Sequence, residues 1–170
     1  MIDFSIFNNI NRPYILILVG HPLVGKSFFC KLFKSQVNDN IKTISRDDIV
    51  LEVAGHNDYN LAFDDVDKKQ VDKILTQRLI QAGLQSDDVI IDMTHMSRKR
   101  RMKNLMKFPN HTKIGIVFSH LTDDDEIIRR NQVRLYTEKK SIHPSVIKDM
   151  IKNYQEPNKD EGFDEIIFVK

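Results

Sequence analysis

The sequence predicts an α/β fold in which a five-stranded parallel sheet lies between helices. Three observations predict it. Short apolar runs recur along the chain, as strands buried on both faces should. Segments of helical length and pattern separate them, which is the order of parallel strands joined by crossovers. A glycine-bearing loop stands between the first apolar run and the first helical segment. The 170 residues are 41% hydrophobic and 29% charged, a composition of folded chains rather than disordered ones. That length suits one domain over residues 1–170.

The elements follow in order. "YILILV" (14–19) is apolar throughout and reads as a central strand. Residues 26–34 read as a helix, 41–45 as a weaker strand, and "DDIVLEVA" (47–54) as a short helix ended by Gly55. Over 64–85, Val71, Ile74, Leu75, Leu79 and Ala82 recur at spacings of three and four, which predicts one amphipathic helix. "DVIID" (88–92) is the third strand. Ser97 can cap a basic helix running to about Lys107, which Pro109 stops. "TKIGIVFS" (112–119) is the fourth strand. Thr122 reads as the cap of a further helix, with Asp123, Asp124, Asp125 and Glu126 placed in its first turn, where the dipole favours carboxylates. His143-Pro144 opens a helix to about Tyr154, and "DEIIFVK" (164–170) is the last strand.

Composition excludes several classes. A net charge of +2 provides no global field for a polyanion. One cysteine, Cys30, rules out an internal disulfide framework and fits a reducing setting, with the thiol buried. The longest apolar run is too short to cross a bilayer, and the first residues lack the basic start of a signal peptide. The expectation is a soluble, cytoplasmic protein. The six histidines show no metal-ligand spacing.

The loop carries the chemistry. Gly20, Gly25, Lys26 and Ser27 satisfy G-x-x-x-x-G-K-[ST], the P-loop pattern. The glycines let backbone N–H groups turn toward phosphate oxygens, and the following helix aims its positive end at the same point. Lys26 would reach the β- and γ-phosphates of ATP, and the Ser27 hydroxyl would bind Mg²⁺. Phe28, next in the chain, joins these nucleotide-binding positions. The overall expectation is therefore a P-loop NTPase fold, to which the resemblance described below adds a helical lid. Neither N-K-x-D nor D-x-x-G of the GTPases occurs.

A kinase also needs a base at the acceptor hydroxyl, and in an open parallel sheet such groups stand at the carboxyl ends of strands. Asp47 and Asp48 lie just past strand two, and Asp92 ends strand three. The residues alone leave Asp47 open between a base and a helix cap. They leave Asp92 open between a site residue and a strand-end turn carboxylate.

Taken together, Gly20–Ser27, "SRDD" (45–48), "VIIDMTHMSRKRR" (89–101) and "IIRRNQVR" (127–134) resemble, in order and spacing, the kinase domain of phage-type 5′-hydroxyl polynucleotide kinases. The resemblance covers nearly the whole chain. It implies that Asp47 is the general base on a 5′-hydroxyl. It also implies that Arg130 and Arg134 clamp the ATP phosphates from a lid. At i and i+4 of one helix, both can face the same point. Two positions depart from the pattern. Val50 stands where the family carries an acceptor-contacting arginine, so Arg46 or the basic helix would have to replace it. Asp92 is two residues before Thr94 rather than directly before it, and it is read as a Mg²⁺ partner or an acceptor contact.

The segment 97–107 carries Arg98, Lys99, Arg100, Arg101, Lys103 and Lys107 and no acid. It reads either as a solvated face or as a surface on which Arg98, Arg100 and Arg101 hold the phosphates of a DNA or RNA end. No aromatic stacking platform for a single strand is evident in the sequence; Tyr59 and Phe63 are candidates only by their proximity to the predicted acceptor side. No D-x-D-x-[TV] motif follows an apolar strand, so no phosphatase domain is expected. The expected activity is ATP- and Mg²⁺-dependent transfer of the γ-phosphate to the 5′-hydroxyl of DNA or RNA. Two alternatives stand beside it: a P-loop kinase of a small molecule, and a nucleotide-binding regulator that performs no transfer.

Overall fold

The computed structural model describes residues 4–169. Five strands form one parallel sheet: β1 (Tyr14–Val19), β2 (Lys42–Ser45), β3 (Val89–Asp92), β4 (Thr112–Phe118) and β5 (Glu165–Val169), in the order β2-β3-β1-β4-β5. The expected last strand also included Lys170, which lies outside the described residues. Seven α-helices join the strands: α1 (Lys26–Gln36), α2 (Arg46–Ala54), α3 (Tyr59–Asp65), α4 (Lys68–Leu84), α5 (Arg98–Leu105), α6 (Asp124–Glu138) and α7 (Pro144–Lys152).

Every residue of β1 is buried, which is what an uninterrupted apolar run requires. The strand's period of two divides it between two cores. Ile15, Ile17 and Val19 face Ile49 and Val50 of α2, Ala62 of α3, Val71, Leu75 and Leu79 of α4, and Leu105 of α5. Tyr14, Leu16 and Leu18 face Phe29, Cys30 and Phe33 of α1, with Phe7 beside them. The sheet thus has helices on both faces. Cys30 is buried as expected, and burial pushes its thiol up to about 12.

Two boundaries differ from the sequence reading. The single helix expected over 64–85 is two, α3 and α4, separated at Val66 and Asp67. Val66 is extended, and the Asp67 carboxylate accepts the Lys69 N–H at 2.8 Å. A capping aspartate placed there starts a new helix rather than continuing the old one. At α6 the cap is Asp123, not Thr122: its carboxylate accepts the Glu126 N–H at 2.8 Å.

The chain leaves β1 toward β2 on one side of the sheet and leaves β3 toward β4 on the other. The switch in direction falls between β1 and β3, where crevices open at the carboxyl ends of the strands.

α4 packs against the turn that follows α5 with no room for a side chain at Gly83. A Cβ there would sit 1.8 Å from the Lys107 carbonyl oxygen. Gly83→Ala is predicted to destabilise the fold by about 1–3 kcal/mol, the usual cost of overpacking, despite the better helix propensity of alanine. Urea unfolding checks this: the midpoint should fall at unchanged slope, and a midpoint equal to or above wild type would refute the contact.

Candidate active site

The loop between β1 and α1 is held in shape from inside. Gly25, the cap of α1, has φ of 99°, a left-handed conformation that glycine adopts without a Cβ clash. Leu23 has φ of 74°; for a residue with a side chain this costs energy that the surroundings must offset. Arg130 contributes to that offset by donating to the Leu23 carbonyl at 2.8 Å. Lys26 is buried, and its ammonium donates to the carbonyls of Gly20 at 2.8 Å and His21 at 2.7 Å. Burial pulls its pKa down to about 8, against the opposing field of Asp92. Phe28 turns its side chain to solvent, 66% exposed, so only its backbone N–H, among the free donors of the first helical turn, faces the loop's work.

Two of the expected carboxylates stand where the sheet brings strand ends together. Asp92 ends β3, and the Ser27 hydroxyl donates to it at 3.1 Å. Asp47 lies in the first turn of α2. It is not that helix's cap; the Ser45 hydroxyl, accepting the Asp48 N–H at 3.4 Å, fills that role. The Asp47 carboxylate therefore has both oxygens available, and each has a partner. Oδ1 accepts from the Tyr59 hydroxyl at 2.8 Å, and Oδ2 is ion-paired with Lys140. Burial pushes the Asp47 carboxyl up, but Lys140, Tyr59 and Arg134 together outweigh it and hold the group below the usual carboxylate range. Asp48 moves the other way, raised by burial and by the charges of Asp47 and Asp92.

The two arginines expected to act from a lid, Arg130 and Arg134, share α6. Arg130 is held by Glu126 at 2.6 Å and by the loop carbonyl already described. Arg134 pairs with Glu138 at 3.1 Å and is close enough to bear on Lys26, Asp47 and Lys140 alike. Lys26, Asp47, Asp92, Ser27, Arg130 and Arg134 are thus gathered at one end of the sheet.

Sequence reasoning passed over Lys140 and gave Tyr59 only a stacking role. Lys140 sits between α6 and α7, 93 positions from the carboxylate it pairs with, and a lysine in a turn carries no local signal of such a partner. The Tyr59 and Phe63 rings stack on each other, with centroids 5.9 Å apart.

The basic helix is corrected in part. Arg101 is fully buried: it donates to both Glu161 oxygens at 2.7 and 2.6 Å and to the His95 carbonyl at 2.9 Å. A guanidinium so enclosed cannot reach a nucleic-acid phosphate. Arg98 forms a two-point pair with Asp160 at 3.0 Å. Arg100 stays on the exposed side with Lys99 and Lys103. Val50, which stands where the resemblance places an acceptor-contacting arginine, is in the core, and Arg46, the expected replacement, pairs with Asp72 at 2.9 Å.

Two histidines brace the site as neutral rings. The Nδ1 of His21 faces the Pro22 carbonyl at 2.6 Å, and its Nε2 accepts the Leu121 N–H at 2.8 Å. The Nδ1 of His95 faces the Leu18 carbonyl at 3.0 Å, and its Nε2 faces the Asn104 amide nitrogen at 3.0 Å. In each, a carbonyl at one nitrogen and an N–H at the other select a single neutral tautomer.

Among models of known families, one described as an AAA domain matches residues 15–157. No curated protein sequence matches the chain. Solved structures do. A chain in the structure of the Pnkp1/Rnl/Hen1 RNA repair complex is 25% identical with a TM-score of 0.67, over 86% of this chain and 46% of that one. The present chain thus spans less than half of that protein. A fungal RNA kinase is 17% identical with a TM-score of 0.59, over 92% of this chain and 38% of its own. A gluconokinase from Sinorhizobium meliloti 1021 is 11% identical with a TM-score of 0.56, over 94% and 83%. The last two share the fold. Among the described residues, no helix is long and apolar enough to cross a membrane.

Burial pushes His21 down to about 4 and His95 to about 3, from an ordinary value near 6.5. Between those values the unfolded chain binds protons that the folded one does not. The stabilisation is therefore complete above pH 6.5 and is lost as pH falls toward 4. Each ring contributes a slope of up to about 1.4 kcal/mol per pH unit. Urea midpoints measured from pH 7 to 4.5 should fall accordingly. In His21→Gln, whose amide oxygen can still accept from Leu121, they should fall less steeply. Identical profiles for the two proteins would remove His21 from the account.

Proposed function

The chain belongs to this AAA domain family, and from that premise we propose that it is an ATP-dependent phosphotransferase acting on the 5′-hydroxyl of a polynucleotide. The observation that carries the reading is the convergence of three strand ends. The phosphate loop follows β1, Asp92 ends β3 in contact with Ser27, and Asp47 follows β2. A nucleotide-binding regulator needs the first of these. A kinase needs all three, because the γ-phosphate must meet a hydroxyl whose proton has somewhere to go.

In this reading the labour is divided among the residues that the geometry gathers. Lys26, released from the Gly20 and His21 carbonyls, carries positive charge to the β- and γ-phosphates. Gly20 and Gly25 shape the loop so that its backbone N–H groups, with those of Ser27 and Phe28, face the anion. Arg130 and Arg134 hold positive charge over the same phosphates from α6. Asp47 takes the proton of the attacking hydroxyl. The hydroxyl of Ser27 and the carboxylate of Asp92 form a pair of hard oxygen donors suited to Mg²⁺. Among the described residues, no cluster of three or more histidine, cysteine or acidic groups gathers at metal-holding distance, so these two residues would hold the ion with phosphate and water oxygens completing its shell. When bound, Mg²⁺ neutralises charge building on the phosphates.

Polynucleotide as acceptor is supported by the motif series Asp47, Asp92, Arg130 and Arg134, and by likeness to a chain in an RNA repair complex. One observation favours a small-molecule acceptor instead. Arg98 and Arg101 are committed to Asp160 and Glu161, which leaves the acceptor side less basic than its sequence.

The test is transfer of label from γ-labelled ATP, with Mg²⁺, to 5′-hydroxyl RNA, 5′-hydroxyl DNA, nucleosides and gluconate. Label is expected on an oligonucleotide and lost about 100- to 1,000-fold in Lys26→Ala, the cost of removing one electrostatic donor to developing charge. Label confined to a small molecule would replace the acceptor. ATP binding without transfer to anything would replace the reaction.

A further inference from the structure

The contact between Asp47 and the α6–α7 turn has a function in its own right. Each carboxylate oxygen is held from a different element: Oδ1 by Tyr59 of α3, Oδ2 by Lys140. Lys140 is poorly placed to serve solvent; its side chain is 7% exposed and its ammonium lies 3.8 Å from the centre of the Tyr59 ring. Nor does the turn need Lys140 to stay in place. Asn60 donates to the Lys139 carbonyl at 3.3 Å and accepts from Ser141 at 3.2 Å, while Asn131 donates to and accepts from Ile142 at 2.6 and 3.1 Å. A buried lysine in a turn already fastened at three points is there for the group that it touches.

We infer that Lys140 and Tyr59 guard Asp47, occupying both oxygens of the half-exposed carboxylate so that it does not take a proton from water attacking bound ATP until an acceptor displaces them. This rests on Asp47 being the base of the proposed reaction. The reaction guarded against is hydrolysis. A water oxygen bonds to the γ-phosphorus, the bond from that phosphorus to the β–γ bridging oxygen breaks, ADP leaves, and the water proton passes to the Asp47 carboxylate. An acceptor hydroxyl follows the same path, but it arrives with the binding energy of the rest of its molecule. That energy can offset the separation of an ion pair, whereas water brings none. The guard therefore makes base availability depend on acceptor binding.

The groups facing Asp47 are Lys140 from the turn, Tyr59 from α3, Arg134 from α6, Lys26 from α1 and Asp48 from its own helix. Removing Lys140 leaves burial and Asp48 pushing the carboxyl up against Tyr59, Arg134 and Lys26.

Two measurements test the guard. The first follows the Asp47 carboxyl by carbon NMR titration in nucleotide-free protein. Its pKa should lie below the ordinary carboxylate range in wild type and rise in Lys140→Met; an unmoved pKa overturns the pairing. The second follows ADP release from Mg-ATP with no acceptor present. Lys140→Met should raise it about 100-fold, the low end of what a freed general base contributes, and Lys140→Arg should restore suppression. Asp47→Asn combined with Lys140→Met should abolish the gain. Hydrolysis unchanged in Lys140→Met, or a gain that survives in the double variant, overturns the proposal. Should Lys140→Met fail to fold, Tyr59→Phe removes only the hydroxyl and should raise hydrolysis in the same direction; no rise there is equally fatal. Hydrolysis that does not rise in these variants, in a protein that transfers to an oligonucleotide, overturns this inference alone. An intact guard in a protein that labels no oligonucleotide overturns the acceptor instead.

Discussion

The site depends on the parallel register of β1 and β3. Ile15 lies opposite Val89 and Ile17 opposite Ile91, so the two strands end together. A backbone hydrogen bond from Gly20 to the Thr94 carbonyl, 2.9 Å long, ties the residues just beyond them. Everything that follows is set by that alignment. The loop begins beside the end of β3, so Ser27 in the first turn of α1 falls within reach of Asp92. β2 pairs with β3 from Lys42 opposite Val89 to Ser45 opposite Asp92, which delivers Asp47 to the same end. Slippage of a strand by one residue would turn its core side chains to the other face, and the two cores that share β1 oppose such slippage.

Charge is used in two ways in this molecule, and the sequence does not separate them. Arg101 and Glu161 are an ion pair sealed in the interior, with Glu161 also accepting the Asn158 N–H at 3.1 Å. A pair so placed must satisfy its remaining polar atoms or cost more than it returns, and the extra bonds to the His95 carbonyl and Asn158 do that. At the other end of the sheet, Lys26, Arg130, Arg134 and Lys140 are held by groups that exchange is able to release: loop carbonyls, two glutamates of α6 and a half-exposed aspartate. The first kind of cation fixes α5 to the short turn Lys159–Glu161; the second stands at the strand ends, where the proposed reaction would use it.

How much of this was legible in the sequence follows from how local each signal is. β1, the loop and α1 were read at their positions because strand burial, glycine spacing and the lysine-serine pair all act within a dozen residues. Asp47 and Asp92 were singled out because strand ends mark them, and both lie at the same end of the sheet. The break between α3 and α4 was missed because the apolar spacing that marks the helix begins at Val71, past Asp67, and only the cap contact of Asp67 shows where the helix starts. Thr122 and Asp123 are both good caps, and neighbouring caps compete through contacts that composition does not show. The burial of Arg101 depends on a glutamate 60 positions later, and the role of Lys140 on an aspartate 93 positions earlier. Separations of that size leave no pattern in a single sequence.

The central claim is that nucleotide binding and acceptor activation are built from different strand ends and can be taken apart. Asp47→Asn, compared with wild type for equilibrium ATP affinity and for single-turnover transfer to a 5′-hydroxyl oligonucleotide, tests it most directly. ATP affinity should be unchanged, because Asp47 lies on β2's side of the site, while transfer should fall by at least about 100-fold, the usual contribution of a positioned base. Transfer at the wild-type rate, or a loss of ATP affinity that accounts for the whole decline, would contradict the account.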